Sequence, residues 1–275
     1  MPNSFRRLAA LLSLLVASVT IHASEPVDPL RLTQDVVPVA QSVELTLDPA
    51  RDDYTGHTII DVLANVPFTS FRLHAEGPEF TTATLTAADG VVTTLTAAVT
   101  DAAHNLVTLT APAALGIGNY KLAIAFTAKF HRDGLGLYKT VSRGDPYLFS
   151  QFEDKHARKC FPCWDEPGFK INWQLTIKLP AALEAVTNAG PAIETRDGDS
   201  KTIAFGRTPP MPSYLVALAV GPFEYYPVTG LSVPGRIVTP KGQVALAKVA
   251  AQLTPAIFSR LEEYFGIPYP YAKFD

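Results

Sequence analysis

Apolar and polar residues alternate through Ser42-Val43-Glu44-Leu45-Thr46-Leu47, and Asp48-Pro49 closes the run as a turn. A period of two predicts a strand with one face buried. Comparable runs follow at 58–64, 70–74, 82–86, 91–96, 106–110 and 120–126, separated by turn signals such as Glu76-Gly77-Pro78, Asp89-Gly90 and Gly116-Ile117-Gly118. A strand plus turn recurs about every ten residues, the spacing of an antiparallel sandwich. Two later runs, 171–179 and 213–220, carry the β region to about Tyr226.

Beyond Tyr226 the period changes. Residues 236–239 read as one more strand, and from Gly242 to Phe265 apolar residues recur at Val244, Ala247, Leu253, Ile257, Leu261 and Phe265, closer to helical spacing. Pro255 interrupts that stretch, so a kink or two helices joined near Thr254 is expected. One strand and one helical segment bury too little surface to form a core alone. Residues 228–275 therefore read as the start of a further domain, after a polar leader at 24–37 and a β domain at 38–227.

Composition narrows the class. Hydrophobic residues make up 47% and charged residues 18%, with 23 Lys+Arg against 26 Asp+Glu and a formal charge of -3. A balance this even excludes extensive disorder and lacks the basic footprint of a nucleic-acid binder. Two cysteines cannot build a disulfide-rich scaffold or a four-cysteine zinc site.

The first residues read as an address. Arg6 and Arg7 precede a mainly apolar run at 8–21, and Ala23 offers a small residue for cleavage. This is the anatomy of a secretory signal peptide over 1–23; the alternative, a retained anchor, would need about 20 predominantly apolar residues. After cleavage the chain is expected to be exported, periplasmic or secreted, and free of the membrane.

Residues 150–170, SQFEDKHARKCFPCWDEPGFK, hold too many charges and breakers for a strand or helix and read as an ordered loop. Cys160 and Cys163 form a C-x-x-C, but no βαβ pattern surrounds them. A static disulfide or two packed thiols, rather than a redox pair, is the expectation. His131 and His156 are the nearest histidines and form no recognised zinc-ligand spacing with them. Glu153 read by itself is a solvated acid neutralised by Lys155 or Arg158, and Arg158 with Asp165 or Glu166 reads as a structural ion pair.

In the same stretch the order Ser150-Gln151-Phe152-Glu153, Ala157-Arg158, Phe161-Pro162-Cys163-Trp164-Asp165-Glu166-Pro167 and Lys170 resembles the zinc aminopeptidases related to aminopeptidase N. Flanking pieces extend the resemblance: Leu135-Gly136-Leu137-Tyr138, Met211-Pro212-Ser213-Tyr214-Leu215 and the terminal 265–275. The resemblance implies a mostly β, saddle-like antiparallel sandwich domain followed by an incomplete thermolysin-like α+β segment. It also implies substrate-binding roles: Glu153 on the ammonium group of a peptide with a free N-terminus, and Gln151 on the pocket for the first side chain.

The family's zinc is held by His-Glu-x-x-His and a further Glu, with the motif's own Glu as general base. No His-Glu pair occurs in this sequence, and the histidines at 22, 57, 74, 104, 131 and 156 are scattered. The resemblance thus implies zinc for an intact enzyme, while these 275 residues alone are expected to bind none and to be inactive. The contrasting reading is a stand-alone, noncatalytic secreted β-sandwich that binds peptide ends or another protein. Sequence leaves the oligomeric state open.

Overall fold

The computed structural model describes residues 31–275, and the signal segment expected at 1–23 lies outside them. Residues Leu32–Asp275 form one compact unit, mostly β.

The strands run β1 (Val36–Thr46), β2 (Asp53–Ala64), β3 (Phe68–His74), β4 (Glu79–Ala87), β5 (Val92–Thr94), β6 (Thr96–Asp101), β7 (Leu106–Leu115) and β8 (Gly118–Lys129). Next come β9 (Gly136–Ser142), β10 (Asp145–Gln151), β11 (Asn172–Pro180), β12 (Glu184–Thr187), β13 (Pro191–Asp197) and β14 (Ser200–Phe205). The last are β15 (Leu218–Gly221), β16 (Phe223–Val228) and β17 (Gly235–Pro240), before a helix, α1 (Lys248–Phe265).

Strand order in the largest sheet is β13-β14-β11-β1-β2-β8-β4-β5. Smaller sheets run β12-β15-β10-β9, β3-β7-β6 and β16-β17. Pairing is antiparallel except between β1 and β11, where Ala40 lies beside Asn172 and Thr46 beside Lys178. That parallel pair brings residues 132 positions apart into register and sets the long connection between them against the sheet.

The alternation read from the sequence is visible in the burial. Val43 and Leu45 of β1 are buried and Glu44 and Thr46 exposed. In β8, Leu122, Ile124, Phe126 and Ala128 are buried in turn. The three-stranded sheet closes over this face: Phe68 of β3 meets Tyr120 of β8 edge-on, and Phe71 of β3 stacks on Trp164. Trp173 of β11 is 1% exposed, and its indole Nε1 donates to the Met211 carbonyl at 2.9 Å.

Two expectations are corrected. Residues Ser213–Leu215 form a 3-10 turn rather than the start of a strand, and β15 begins only at Leu218. The helix is a single element passing through Pro255 rather than two joined near Thr254; the Thr254 hydroxyl donates to the Ala250 carbonyl. Strands β9, β10, β12, β13 and β14 were not marked by the sequence pattern.

Trp173→Ala should destabilise the fold by about 3–5 kcal/mol, since it removes a buried aromatic and leaves the Met211 carbonyl without its donor. Urea unfolding with unchanged slope and a lowered midpoint is the expected reading.

Candidate functional site

The 150–170 stretch is an ordered connection, as expected. β10 ends at Gln151, opposite Gly136 of β9. Phe152 then turns inward: it is 1% exposed and meets Phe161 edge-on, and Phe161 packs on Trp173. With Phe152 anchored in the core, its neighbours Gln151 and Glu153 are left exposed at the end of the strand. The backbone N–H of Glu153 donates to Gln151 Oε1 at 3.3 Å, so the two expected site residues are held together. The Glu153–Asp154 peptide bond is cis.

Beyond Glu153 the chain is fastened at many points. The hydroxyl of Tyr54 donates to the Cys160 carbonyl (2.8 Å) and Gln41 Nε2 to the Pro162 carbonyl (2.9 Å). Cys163 makes a two-way backbone bridge with His74 of β3. Glu166 Oε1 accepts the Leu32 N–H at 2.8 Å, tying the leader to the same loop.

The centre of this fastening is ionic. Arg158 and Asp165 are buried. Arg158 Nε donates to Asp165 Oδ2 at 2.8 Å, one terminal nitrogen donates to the Asp165 carbonyl at 2.8 Å, and the other reaches the His104 carbonyl at 3.2 Å. Asp165 Oδ1 accepts from Ser213 Oγ, and the Asp165 N–H donates to Nδ1 of His74 at 3.3 Å. The structural ion pair expected of Arg158 is therefore present, with Asp165 as its partner. Ser213 and His74 were not singled out as members; the signal for Ser213 was its place in Met-Pro-Ser-Tyr-Leu.

The electrostatics follow from burial. His74 is held far below the usual imidazole range, to about 3, first by desolvation and then by Arg158 and Arg72. It stays neutral and keeps Nδ1 free to accept. Burial pushes the Cys160 thiol up to about 12 and that of Cys163 well up. Both are free thiols, buried and without the depressed titration or access that thiol exchange needs. They are packed thiols.

Glu153 contrasts with its surroundings. Its carboxylate makes no ion pair with Lys155 or Arg158, so the neutralised surface acid expected from the sequence alone is not what forms. Arg158 is engaged by Asp165, and Lys159 reaches Glu76 (3.5 Å) and Asp133 (4.0 Å). The arrangement offers an accessible anion, without an ion pair among the described residues, beside an amide side chain on a rigid support.

Among the described residues no three His, Cys, Asp or Glu side chains come together as a metal site. His74 is committed to the Asp165 amide, and His104 pairs with Asp101 at 2.7 Å. These residues do not fit a zinc centre.

Comparison with known proteins places this geometry in a family. Residues 37–215 match the Peptidase M1 N-terminal domain. The chain belongs to the M1 peptidase family, of which it carries that N-terminal domain. It is similar to aminopeptidase N of Acetobacter pasteurianus, 31% identical over 251 residues that cover 89% of this chain and 69% of that protein. It is also similar to aminopeptidase M1-C of Oryza sativa subsp. japonica, 36% identical over 168 residues, 58% of this chain and 19% of the rice protein. The puromycin-sensitive aminopeptidase of Caenorhabditis elegans is 28% identical over 253 residues, 89% of this chain and 27% of the relative. The chain thus spans about a fifth of the length of the rice relatives it matches.

Two outcomes check the support of the site. Gly136 has φ +66, and a Cβ there would lie 2.7 Å from Cβ of Lys159, so strand and loop approach too closely for any side chain. Gly136→Ala should cost about 1–3 kcal/mol and shift the Gln151 and Glu153 amide resonances in an NMR spectrum. The second concerns pH. Between about 6.5 and 3 the unfolded chain takes up a proton that folded His74 refuses. Its contribution to stability is full above 6.5 and is lost as pH falls toward 3. Thermal unfolding should show this acid loss, and His74→Asn should flatten it.

Proposed function

We propose that this chain is the substrate-amine-recognising part of an exported zinc aminopeptidase that hydrolyses the N-terminal peptide bond of oligopeptides. The observation that carries the reading is the carboxylate of Glu153, exposed and without an ion pair among the described residues, held beside Gln151 at the end of β10. Membership of the M1 family and relatives named aminopeptidases support it.

Recognition would rest on charge. An ammonium group at the free end of a peptide donates a charge-assisted hydrogen bond to the Glu153 carboxylate, which an uncharged internal peptide nitrogen cannot match. The uncharged amide of Gln151 lines the pocket for the first side chain without competing for that cation. Zinc, with the chemistry of polarising the scissile carbonyl and activating water, would be held by polypeptide carrying His-Glu-x-x-His rather than by the residues described. The chain's contribution is to bind and orient the substrate.

The finer architecture belongs to the same proposal. The β domain is read as saddle-like and the segment from 228 as the entry to a thermolysin-like domain. Support comes from α1, whose Leu253, Ile257, Leu261 and Phe265 are all exposed at helical spacing. With Phe258, Ile267 and Tyr269, three of them line an apolar groove of about 370 Å³, a surface suited to packing against further protein. Export is read from the 1–23 segment; among the described residues no helix is long and apolar enough to cross a membrane.

The test is a titration of the chain with L-phenylalanine amide and with its N-acetylated form, followed by NMR. The free amine should bind more tightly, and Glu153→Ala should remove the preference with the fold intact. Joined to a zinc-bearing catalytic domain, the same substitution should lower kcat/KM on free-amine dipeptides about tenfold to a hundredfold. Equal binding of both ligands by the unaltered chain would contradict the reading.

A further inference from the structure

Glu153 opens a turn that also carries Lys155, Arg158 and Lys159, three cations within six residues. An exposed carboxylate in such company is ordinarily neutralised by one of them, yet none of the three pairs with it. Two of the cations are held elsewhere by specific anions. Lys159 is drawn to Glu76 and Asp133. Arg158 is drawn inward more strongly: its guanidinium donates to the Asp165 carboxylate, the Asp165 carbonyl and the His104 carbonyl. Ser213 and the backbone N–H of Arg158 supply further donors to the same carboxylate.

A buried guanidinium and carboxylate are a costly way to brace a loop. An apolar pair of similar volume often does as well or better. What an apolar pair would not do is account for an arginine already present five residues from the anion that must stay free. We propose that Asp165 is a positioning residue for amine recognition: by holding Arg158 in the core it keeps the guanidinium from neutralising Glu153. The site's anion stays available for the ammonium of a peptide because a second, buried anion removes its strongest local competitor. Lys155 is the remaining cation; it is exposed and makes no ion pair with Glu153.

This inference rests on Glu153 binding the substrate amine, and the experiment separates the two. In the full chain, the affinity ratio of L-phenylalanine amide to its N-acetyl form is measured for the unaltered protein, for Asp165→Asn, and for the double variant Arg158→Met with Asp165→Leu. The single substitution removes the countercharge and leaves the guanidinium only neutral acceptors, among them the Asp165 and His104 carbonyls, and should reduce the ratio about fivefold, the scale of one exposed ion pair. The N-acetyl ligand should bind the single variant as before. The double variant has no guanidinium to compete and should regain the original ratio, although it lacks every hydrogen bond of the pair's side chains. A purely structural role gives the opposite order, with the double variant at least as impaired as the single one.

Should Asp165→Asn not fold, Ser213→Ala, which withdraws one donor from the carboxylate, carries the same comparison with a smaller loss of about twofold. A folded single variant with an unchanged ratio, or a folded double variant that stays impaired, overturns the inference and leaves amine recognition standing. No preference for the free amine in the unaltered chain overturns both.

Discussion

The buried pair of Arg158 and Asp165 is the interaction on which the site depends. The loop from Phe152 to Lys170 has almost no regular structure, so strand ladders cannot fix its shape. Its shape comes instead from side chains that reach the loop from β1, β2 and β3, and from the one ion pair that joins its two halves. Breaking such a pair by removing one partner typically costs about 3–5 kcal/mol, because the other charge is left buried and alone. Ser213 and His74 extend the pair into the 3-10 turn and into β3, so three separated stretches of chain are locked at one point.

From that point to function the path is short. The parallel pairing of β1 with β11 places the loop's exit next to the first strand, and β10 delivers its entry from the smaller sheet. The core takes Phe152, Phe161 and Trp173, and the residues on either side of Phe152 are left facing solvent. A carboxylate and an amide side chain, backed by a stiff scaffold, are the groups that the proposed recognition of a cationic peptide end calls on. The chain carries the N-terminal domain of an M1 peptidase and spans about a fifth of the length of the rice relatives it matches.

Much of the fold was legible in the pattern of residues, and the failures have physical causes. The alternation at 42–47 and 120–126 is the imprint of a sheet with one dry face, and there the strands are found. β13, Pro191–Asp197, is exposed at every position, so it leaves no period to read. The run at 213–220 is mostly apolar and reads as a strand, yet the Ser213 hydroxyl is bound to Asp165 and the backbone curls into a 3-10 turn before β15 begins. The parallel β1–β11 contact joins residues far apart in sequence, and no local signal encodes it. At the site, Gln151 and Glu153 were singled out by the resemblance of the surrounding motif. That Glu153 would be free of Lys155 and Arg158 was not, because it depends on where the guanidinium turns.

The central claim is that Glu153 receives the amine of a peptide. A crystal structure of the chain with bound L-phenylalanine amide tests it most directly. The account requires the ligand's ammonium nitrogen within hydrogen-bonding distance of the Glu153 carboxylate, with the Arg158–Asp165 pair intact beneath it. A ligand seated elsewhere, or Glu153 paired with a cation of its own turn while the ammonium faces solvent, would contradict it.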